Sequence, residues 1–228
     1  MMDVKRCFVL LSDSRGIFSI KVILHFGVRR SDEIVVVEGS ERLEDFKMFR
    51  EKFLKNVKVD YVKPVSGDLP EVAGWFGEFF VERAYGCGRI IVGLSGPVLT
   101  AGLLGLILSW PALSRLGSRV DVAVEAGEGM VMLGGRDLAA VSSVGSLGEA
   151  DFQVLEEAAG GGTVSNIADA LGLEVSSVGR RVWHLASKGF VDVVGGRPRR
   201  VSLSRWGGAV VGVWRRVKRL ASLDAFLT

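Results

Sequence analysis

Histidine and cysteine are almost missing from this chain: His25, His184, Cys7 and Cys87 are the whole complement in 228 residues. Neither histidine has partners at metal-ligand spacing, so no metal centre is expected. The two cysteines stand beside expected strands and read as buried small apolar side chains, in preference to a disulfide or ligands. Also absent are a Gly-x-x-x-x-Gly-Lys-Ser/Thr phosphate loop and a Gly-x-Gly-x-x-Gly turn after a first strand. Their absence removes two common nucleotide-binding signatures. No catalytic residue and no cofactor stand out, and the expectation is a protein that is not an enzyme. His25 falls mid-helix between apolar residues, as a core or edge histidine does. The chain has no internal repeat. Its short polar start turns at once into a strand and carries no signal-peptide pattern, so a cytoplasmic protein is expected.

Charge is missing over one long run, because Ile90 to Ser114 holds no Asp, Glu, Lys or Arg in 25 positions. Length alone would make this a membrane-span candidate. The turn Ser95-Gly96-Pro97 and the β-branched start divide it instead into a short strand and a helix from about Val98 to Trp110. A wholly apolar helix containing Gly102 and Gly105 is expected to be buried against a sheet or a second subunit. No membrane partner is expected.

Apolar residues make up 48% of the chain, and the mean hydropathy is +0.33, values that point to well-buried cores and away from disorder. Strand-like runs at Arg6–Leu11, Glu33–Glu38, Val57–Val62, Arg89–Gly93 and Arg119–Glu125 alternate with helical ones. The helical runs are Ile17–Phe26, Ser40 to about Lys55, Leu69–Tyr85 and Val98–Trp110, and Met130–Leu133 is a possible sixth strand. This alternation implies a mostly parallel sheet covered on both faces. The expected fold class is therefore α/β, with a Rossmann-like domain over residues 1–133 and a second domain over 148–228. The Gly-, Ser- and Ala-rich stretch 134–147 lies between them as a linker.

Charge is unevenly spread. From Val175 onward there are 11 Lys and Arg against 2 Asp, a net +9, and since the whole chain carries +3, residues 1–174 carry −6. A basic end on a mildly acidic body suggests a polyanionic partner for that end alone. Within it, Val164, Ile167, Ala168 and Leu171 recur on one helix face closed by Gly172, and Val178, Val182 and Leu185 form a second face. Two such helices across a short turn describe a helix-turn-helix, whose second helix enters the major groove of double-stranded DNA. Val191, Val193, Val201 and Leu203 then flank Gly195-Gly196 as a hairpin bearing Arg197, Arg199 and Arg200. A basic hairpin after such a helix resembles the wing of the winged helix-turn-helix family, and that likeness runs from Thr163 to Ser204. The expected DNA-binding residues are Ser165, Ser176, Ser177, Arg180, Arg181 and His184, with Arg197, Arg199 and Arg200 on the flanking phosphates. Beyond the hairpin, Ser204 to Leu220 reads as a closing helix with Val210, Val213, Trp214, Val217 and Leu220 in one stripe.

In a parallel sheet, ligands bind outside the carboxyl ends of the strands near the switch in strand order. Two loops qualify: Ser12-Asp13-Ser14-Arg15-Gly16 and Leu94-Ser95-Gly96-Pro97-Val98. Each precedes a helix whose N–H groups suit an anion, although Ser and Asp are equally at home there as ordinary caps. The run Ile90-Ile-Val-Gly-Leu-Ser-Gly-Pro-Val-Leu-Thr-Ala-Gly-Leu-Leu-Gly-Leu-Ile-Leu-Ser109, with Phe8-Val-Leu-Leu-Ser-Asp13 before it and a winged helix after it, resembles the archaeal-type CRISPR-associated transcription regulators. Their N-terminal part is a CARF domain. The resemblance implies a homodimer with one pocket built from paired loops on its two-fold axis. It also implies a cyclic oligoadenylate effector, with cyclic tetra-adenylate as the candidate, and control of CRISPR-locus transcription. The chain departs from that family at Gly93, where an acidic residue is common, and at Pro97–Thr100, where a Lys or Arg is common. Arg15 and backbone amides would then face the phosphates. Two other readings stay open: a regulator sensing another anionic metabolite, and slow ring cleavage assisted by Ser12 or Ser95.

Overall fold

The computed structural model describes residues 5–12, 16–37, 43–116, 119–127, 129–196 and 198–224. The chain divides into two compact units, Met1–Leu138 and Ala139–Thr228. In the first, β1 (Arg6–Leu11), α1 (Ile17–Phe26), β2 (Glu33–Val37), α2 (Glu44–Phe53), β3 (Lys58–Val62), α3 (Leu69–Gly86), β4 (Arg89–Leu94), α4 (Leu99–Arg115), β5 (Arg119–Ala126) and β6 (Gly129–Gly134) follow in order. They build a six-stranded sheet ordered β3-β2-β1-β4-β5-β6, in which β6 alone runs antiparallel to its neighbour. This is a doubly wound strand order, and the direction of winding reverses between β1 and β4.

Strand side chains alternate between two covered faces, which is why β1, β2 and β4 are near-continuous apolar runs. Val9, Leu11, Val35, Ile90 and Val92 pack with Phe76 and Phe80 of α3 and Leu106 of α4. Phe8, Leu10, Ile34 and Ile91 pack on the other side with Phe18 and Val22 of α1 and Phe46 of α2. The chargeless helix α4 sits inside the first of these cores. A Cβ at Gly102 would stand 2.3 Å from Leu11 Cδ2, and one at Gly105 would stand 2.5 Å from Phe76 Cβ and 2.8 Å from the Ala73 oxygen. Both glycines thus serve close packing within the unit, one on the sheet and one on α3. Among the described residues no helix is long and apolar enough to cross a membrane. The helix also runs past the expected stop at Trp110, through Pro111 to Arg115. The burial of Leu113 keeps this last turn in place.

The cysteines are buried as expected but are not free. Cys7 at the start of β1 and Cys87 just after α3 form a disulfide, with Cα atoms 5.9 Å apart. The parallel β1–β4 register, which brings Cys7 opposite Ile90, carries the two chain segments together. The same end of the sheet holds a charge network. Arg6, only 7% exposed, donates through Nε to Asp32 Oδ1 at 3.1 Å and through its amino groups to the Phe26 and Gly27 carbonyls. Glu33 accepts from Lys5 at 2.8 Å and Lys58 at 2.7 Å. Those two hydrogen bonds hold its carboxyl down at about 2 against an ordinary 4.5, in spite of its burial.

Residues 134–147, expected as a linker, are largely helical. α5 spans Gly135–Ser143 and a 3-10 turn follows over Val144–Ser146. The Asp137 carboxylate accepts from the Gly134 N–H at 2.7 Å, and Leu138 and Ala140 are buried. The second unit continues with α6 (Glu149–Ala158), β7 (Gly162–Thr163), α7 (Val164–Leu171), α8 (Val175–Ser187), β8 (Val191–Val194), β9 (Arg200–Leu203) and α9 (Arg205–Asp224). Its three strands form an antiparallel sheet ordered β7-β9-β8. Val154, Leu155, Ile167, Ala168, Val178, Val182, Leu185, Phe190 and Val201 make its core. Helices α6, α7 and α8 with this sheet form a winged helix-turn-helix.

Candidate nucleic-acid interface and sheet crevice

Local rules set the helix-turn-helix in place. Thr163 Oγ1 accepts from the Asn166 N–H at 3.2 Å while Asn166 Oδ1 accepts from the Thr163 N–H at 3.0 Å, a reciprocal cap at the start of α7. Gly172, at φ 64°, ends α7 in the left-handed conformation that glycine adopts without strain. Val178, Val182 and Leu185 seat α8 on the core. The hairpin is tied back at its base, where Ser204 Oγ donates to the Gly189 carbonyl at 2.6 Å and caps α9 by accepting from the Gly207 N–H at 3.1 Å.

The expected contact residues fall into three groups. Ser176, Arg180 and His184 are exposed on α8, as are Ser165 on α7 and Arg199 and Arg200 on the hairpin. Ser177 is half-buried in the first turn of α8, its N–H bonded to the Glu174 carbonyl. Arg181 is engaged within the unit, where its Nη1 donates to Asp151 Oδ1 at 2.8 Å. Burial alone would raise the Asp151 carboxyl, but the Gly148 N–H and the Arg181 guanidinium outweigh it and hold the group below its usual value. Arg181 therefore clamps α8 to the first turn of α6. Arg197 lies outside the described residues.

Two side chains of this surface escape a reading by sequence pattern. Trp183 is 52% exposed on α8, and the Arg199 guanidinium carbon lies 5.0 Å from its ring centroid. Glu174 sits at the N-cap of α8 and accepts from Ser176 Oγ at 3.4 Å, placing a negative charge at the leading end of that helix. Among the described residues of α9, Gly207 and Val211 are buried and Val210 and Trp214 half-buried, while Val213 is 67% exposed and so falls outside the expected stripe. Trp214 stacks on Phe152 at 4.2 Å. The side chains of Val217 and Leu220 lie outside those described.

In the first unit the ends of β1 and β4 meet where the sheet reverses its winding, with the Ser95 N–H donating to the Leu11 carbonyl at 3.2 Å. Ser12 and Ser95 are both buried, at 2% and 0% exposure. Ser95 Oγ donates to the Leu11 carbonyl at 2.9 Å, and Ser19 Oγ donates to Ser12 Oγ at 3.2 Å, so both hydroxyls stitch the ends of β1, α1 and β4. Gly16, at φ 78°, opens α1, and its hydrogen faces Phe46, where a Cβ would stand 2.6 Å from Phe46 Cβ. Leu94 is buried, Gly96 and Pro97 are exposed, and Val98 caps α4 with no side-chain bond. Asp13, Ser14 and Arg15 lie outside the described residues. A Cβ at Gly93 would stand 3.1 Å from Leu10 Cδ2 and 3.2 Å from Val22 Cγ2, so a side chain there would fit only if these neighbours shifted. His25 is exposed in the last turn of α1, an edge histidine. Among the described residues no group of His, Cys, Asp and Glu is arranged to hold a metal ion.

No protein-family model matches the sequence, and no curated protein does. Among solved structures, the transcriptional regulator Tm0710 from Thermotoga maritima is similar over 39% of this chain and 67% of its own, with 21% identity and a TM-score of 0.31. A mutant MarR from E. coli, complexed with operator DNA, is similar over 40% of this chain and 82% of its own, at 19% identity and a TM-score of 0.30. The protein VC1899 from Vibrio cholerae is similar over 92% of this chain and 65% of its own, at 11% identity and a TM-score of 0.38. Each likeness lies below the level from which a shared function follows.

Proposed function

We propose that this chain is a dimeric, ligand-responsive DNA-binding transcription regulator. The observation that carries the proposal is the surface made by α8 and the hairpin, where Arg180, Arg199 and Arg200 stand exposed beside Ser176 and His184. An exposed helix lined with hydrogen-bonding side chains fits the major groove, and flanking arginines fit the phosphates on either side. The net +9 of the segment from Val175 onward supplies the long-range attraction. Arg180 reads base edges, while Arg199 and Arg200 contact phosphate.

The first unit is the sensor in this reading. The carboxyl ends of β1 and β4, at the reversal of strand order, would take an anion, and the resemblance to CARF regulators makes it a cyclic oligoadenylate such as cyclic tetra-adenylate. The regulated genes would then be CRISPR-associated. The Ser95 hydroxyl is committed to the Leu11 carbonyl, which argues against its aligning a ribose hydroxyl for cleavage.

Two measurements test the proposal. Duplex binding by fluorescence anisotropy, repeated over a range of salt, should show affinity falling steeply as salt rises. Arg200→Ala should weaken all sequences alike and lower the salt slope by about 1, whereas Arg180→Ala should relax base preference at one position. Identical effects from the two variants would refute the division of roles. Calorimetric titration with cyclic tetra-adenylate should give one ligand per two chains. No heat would leave the DNA-binding unit standing and remove the oligoadenylate.

A further inference from the structure

Trp183 is an anomaly on α8. The apolar stripe of that helix is complete without it, since Val178, Val182 and Leu185 are each at most 1% exposed. Trp183 lies outside that stripe, on the arc that carries Arg180 one turn before it and Ser187 one turn after it. A large indole left half in water gains little from burial, so its placement calls for a contact at the surface itself. That contact is with the hairpin: Arg199, in the last position before β9, brings its guanidinium carbon to 5.0 Å from the indole centroid. The separation is inside the range of about 6 Å in which a cation is held by a ring face.

We infer that Trp183 is a positioning residue for the wing, holding Arg199 so that its guanidinium meets a DNA phosphate already oriented. This rests on the DNA-binding reading above. A planar guanidinium lying over a ring keeps its N–H donors in its own plane, and stacking leaves their outer edge open for phosphate. The indole thereby does for Arg199 what Asp151 does for Arg181, fixing a long side chain that would otherwise sample many rotamers. It differs in leaving the guanidinium donors without a hydrogen-bond partner among the described residues. An arginine ordered before binding loses less rotamer freedom when it binds. Arg200 has no ring partner on α8 among the described residues, and contacts phosphate without that support. The stack also joins the hairpin to α8, so that helix and wing approach the duplex as one surface.

The test is a double-mutant cycle in the full-length chain. Trp183→Leu, which keeps an apolar side chain and removes the ring face, should weaken duplex binding about 2- to 5-fold. In an Arg199→Ala background the same substitution should change affinity no further, and Trp183→Phe should recover most of the loss. In the DNA-free protein, the Arg199 Hδ protons should resonate upfield from ring current and return to ordinary shifts in Trp183→Leu. Equal losses with and without Arg199 would mean that Trp183 touches DNA itself, and would overturn the inference alone. An unshifted Arg199 in the wild type, or full affinity in Trp183→Leu, would do the same. If the wild type binds no duplex at low salt, the DNA-binding reading falls and this inference falls with it.

Discussion

Arg180 and Arg181 are neighbours in sequence with opposite fates, and the difference is measurable. Arg181 stands three residues after Val178 and four before Leu185, at the margin of the buried stripe, where Asp151 reaches it at 2.8 Å. Arg181→Ala should therefore lower the stability of the second unit by about 1–3 kcal/mol, because it strands a buried carboxylate. Arg180→Ala should leave stability within about 0.5 kcal/mol and act only on DNA. Thermal melting of the two variants checks this, and equal melting temperatures would contradict the assigned clamp. Glu33 gives the pH counterpart. Its carboxyl is held at about 2 by the bonds from Lys5 and Lys58, against 4.5 for an ordinary glutamate. A depressed value means the unfolded chain takes up the proton first, so the contribution is complete above about pH 4.5 and is lost as pH falls toward 2. The lysine partners are half or more exposed, and screening reduces the effect to roughly 1–2 kcal/mol. In denaturant titrations at stepped pH, Glu33→Gln should be less stable than wild type at neutrality and converge with it as pH falls to about 2.

At the scale of elements, the α3–α4 crossing is set by glycine. Gly105 lets α4 approach to where a Cβ would stand 2.5 Å from Phe76 and 3.0 Å from the Gly77 nitrogen. Gly105→Ala should push the helices apart at a cost of about 1–3 kcal/mol. Gly74, on α3 and also within a helix, has nothing within 4 Å of its would-be Cβ. Gly74→Ala should instead stabilise by about 0.5–1 kcal/mol, through helix propensity and reduced freedom of the unfolded chain. Urea midpoints of the pair should move in opposite directions, and a shared direction would show that packing does not govern this crossing. Helix α9 rests on a similar approach, since a Cβ at Gly207 would lie 2.0 Å from the Phe190 oxygen.

For the whole molecule, the disulfide between Cys7 and Cys87 closes a stretch of 80 residues within the first unit. Tying β1 to the chain just before β4 restricts the unfolded state most, since those strands are adjacent in space and distant in sequence. Reduction should cost about 2–4 kcal/mol. The urea midpoint should fall on adding reductant, while Cys7→Ser should be as weak from the outset and insensitive to it. Thiol counting in denaturant gives a second reading, with none found in the oxidised protein. The disulfide and the Glu33 and Arg6 networks all lie at the amino ends of the strands. The carboxyl ends carry instead the buried Ser12 and Ser95 hydroxyls.

By itself, the sequence determined the elements and their faces wherever local periodicity and end signals agreed. The parallel sheet follows from alternating apolar runs, and α7 and α8 follow from Ile167, Ala168, Val178, Val182 and Leu185 with Gly172 as a stop. What it left open depends on neighbours far along the chain. Arg181 reads as a surface cation until α6 brings Asp151 to it, and Trp183 reads as nothing in particular until the hairpin folds Arg199 over its ring. Cys7 and Cys87 look like unrelated apolar positions until β1 and β4 pair. Helix α4 outruns Pro111 because Leu113 is buried, and α5 forms in a Gly- and Ser-rich stretch because Leu138 and Ala140 find cores to enter. The physical reason is common to all of them. Periodicity reports which face of an element is apolar, whereas a charge, a ring or a thiol acquires its role only from the group that tertiary packing places within a few ångströms of it.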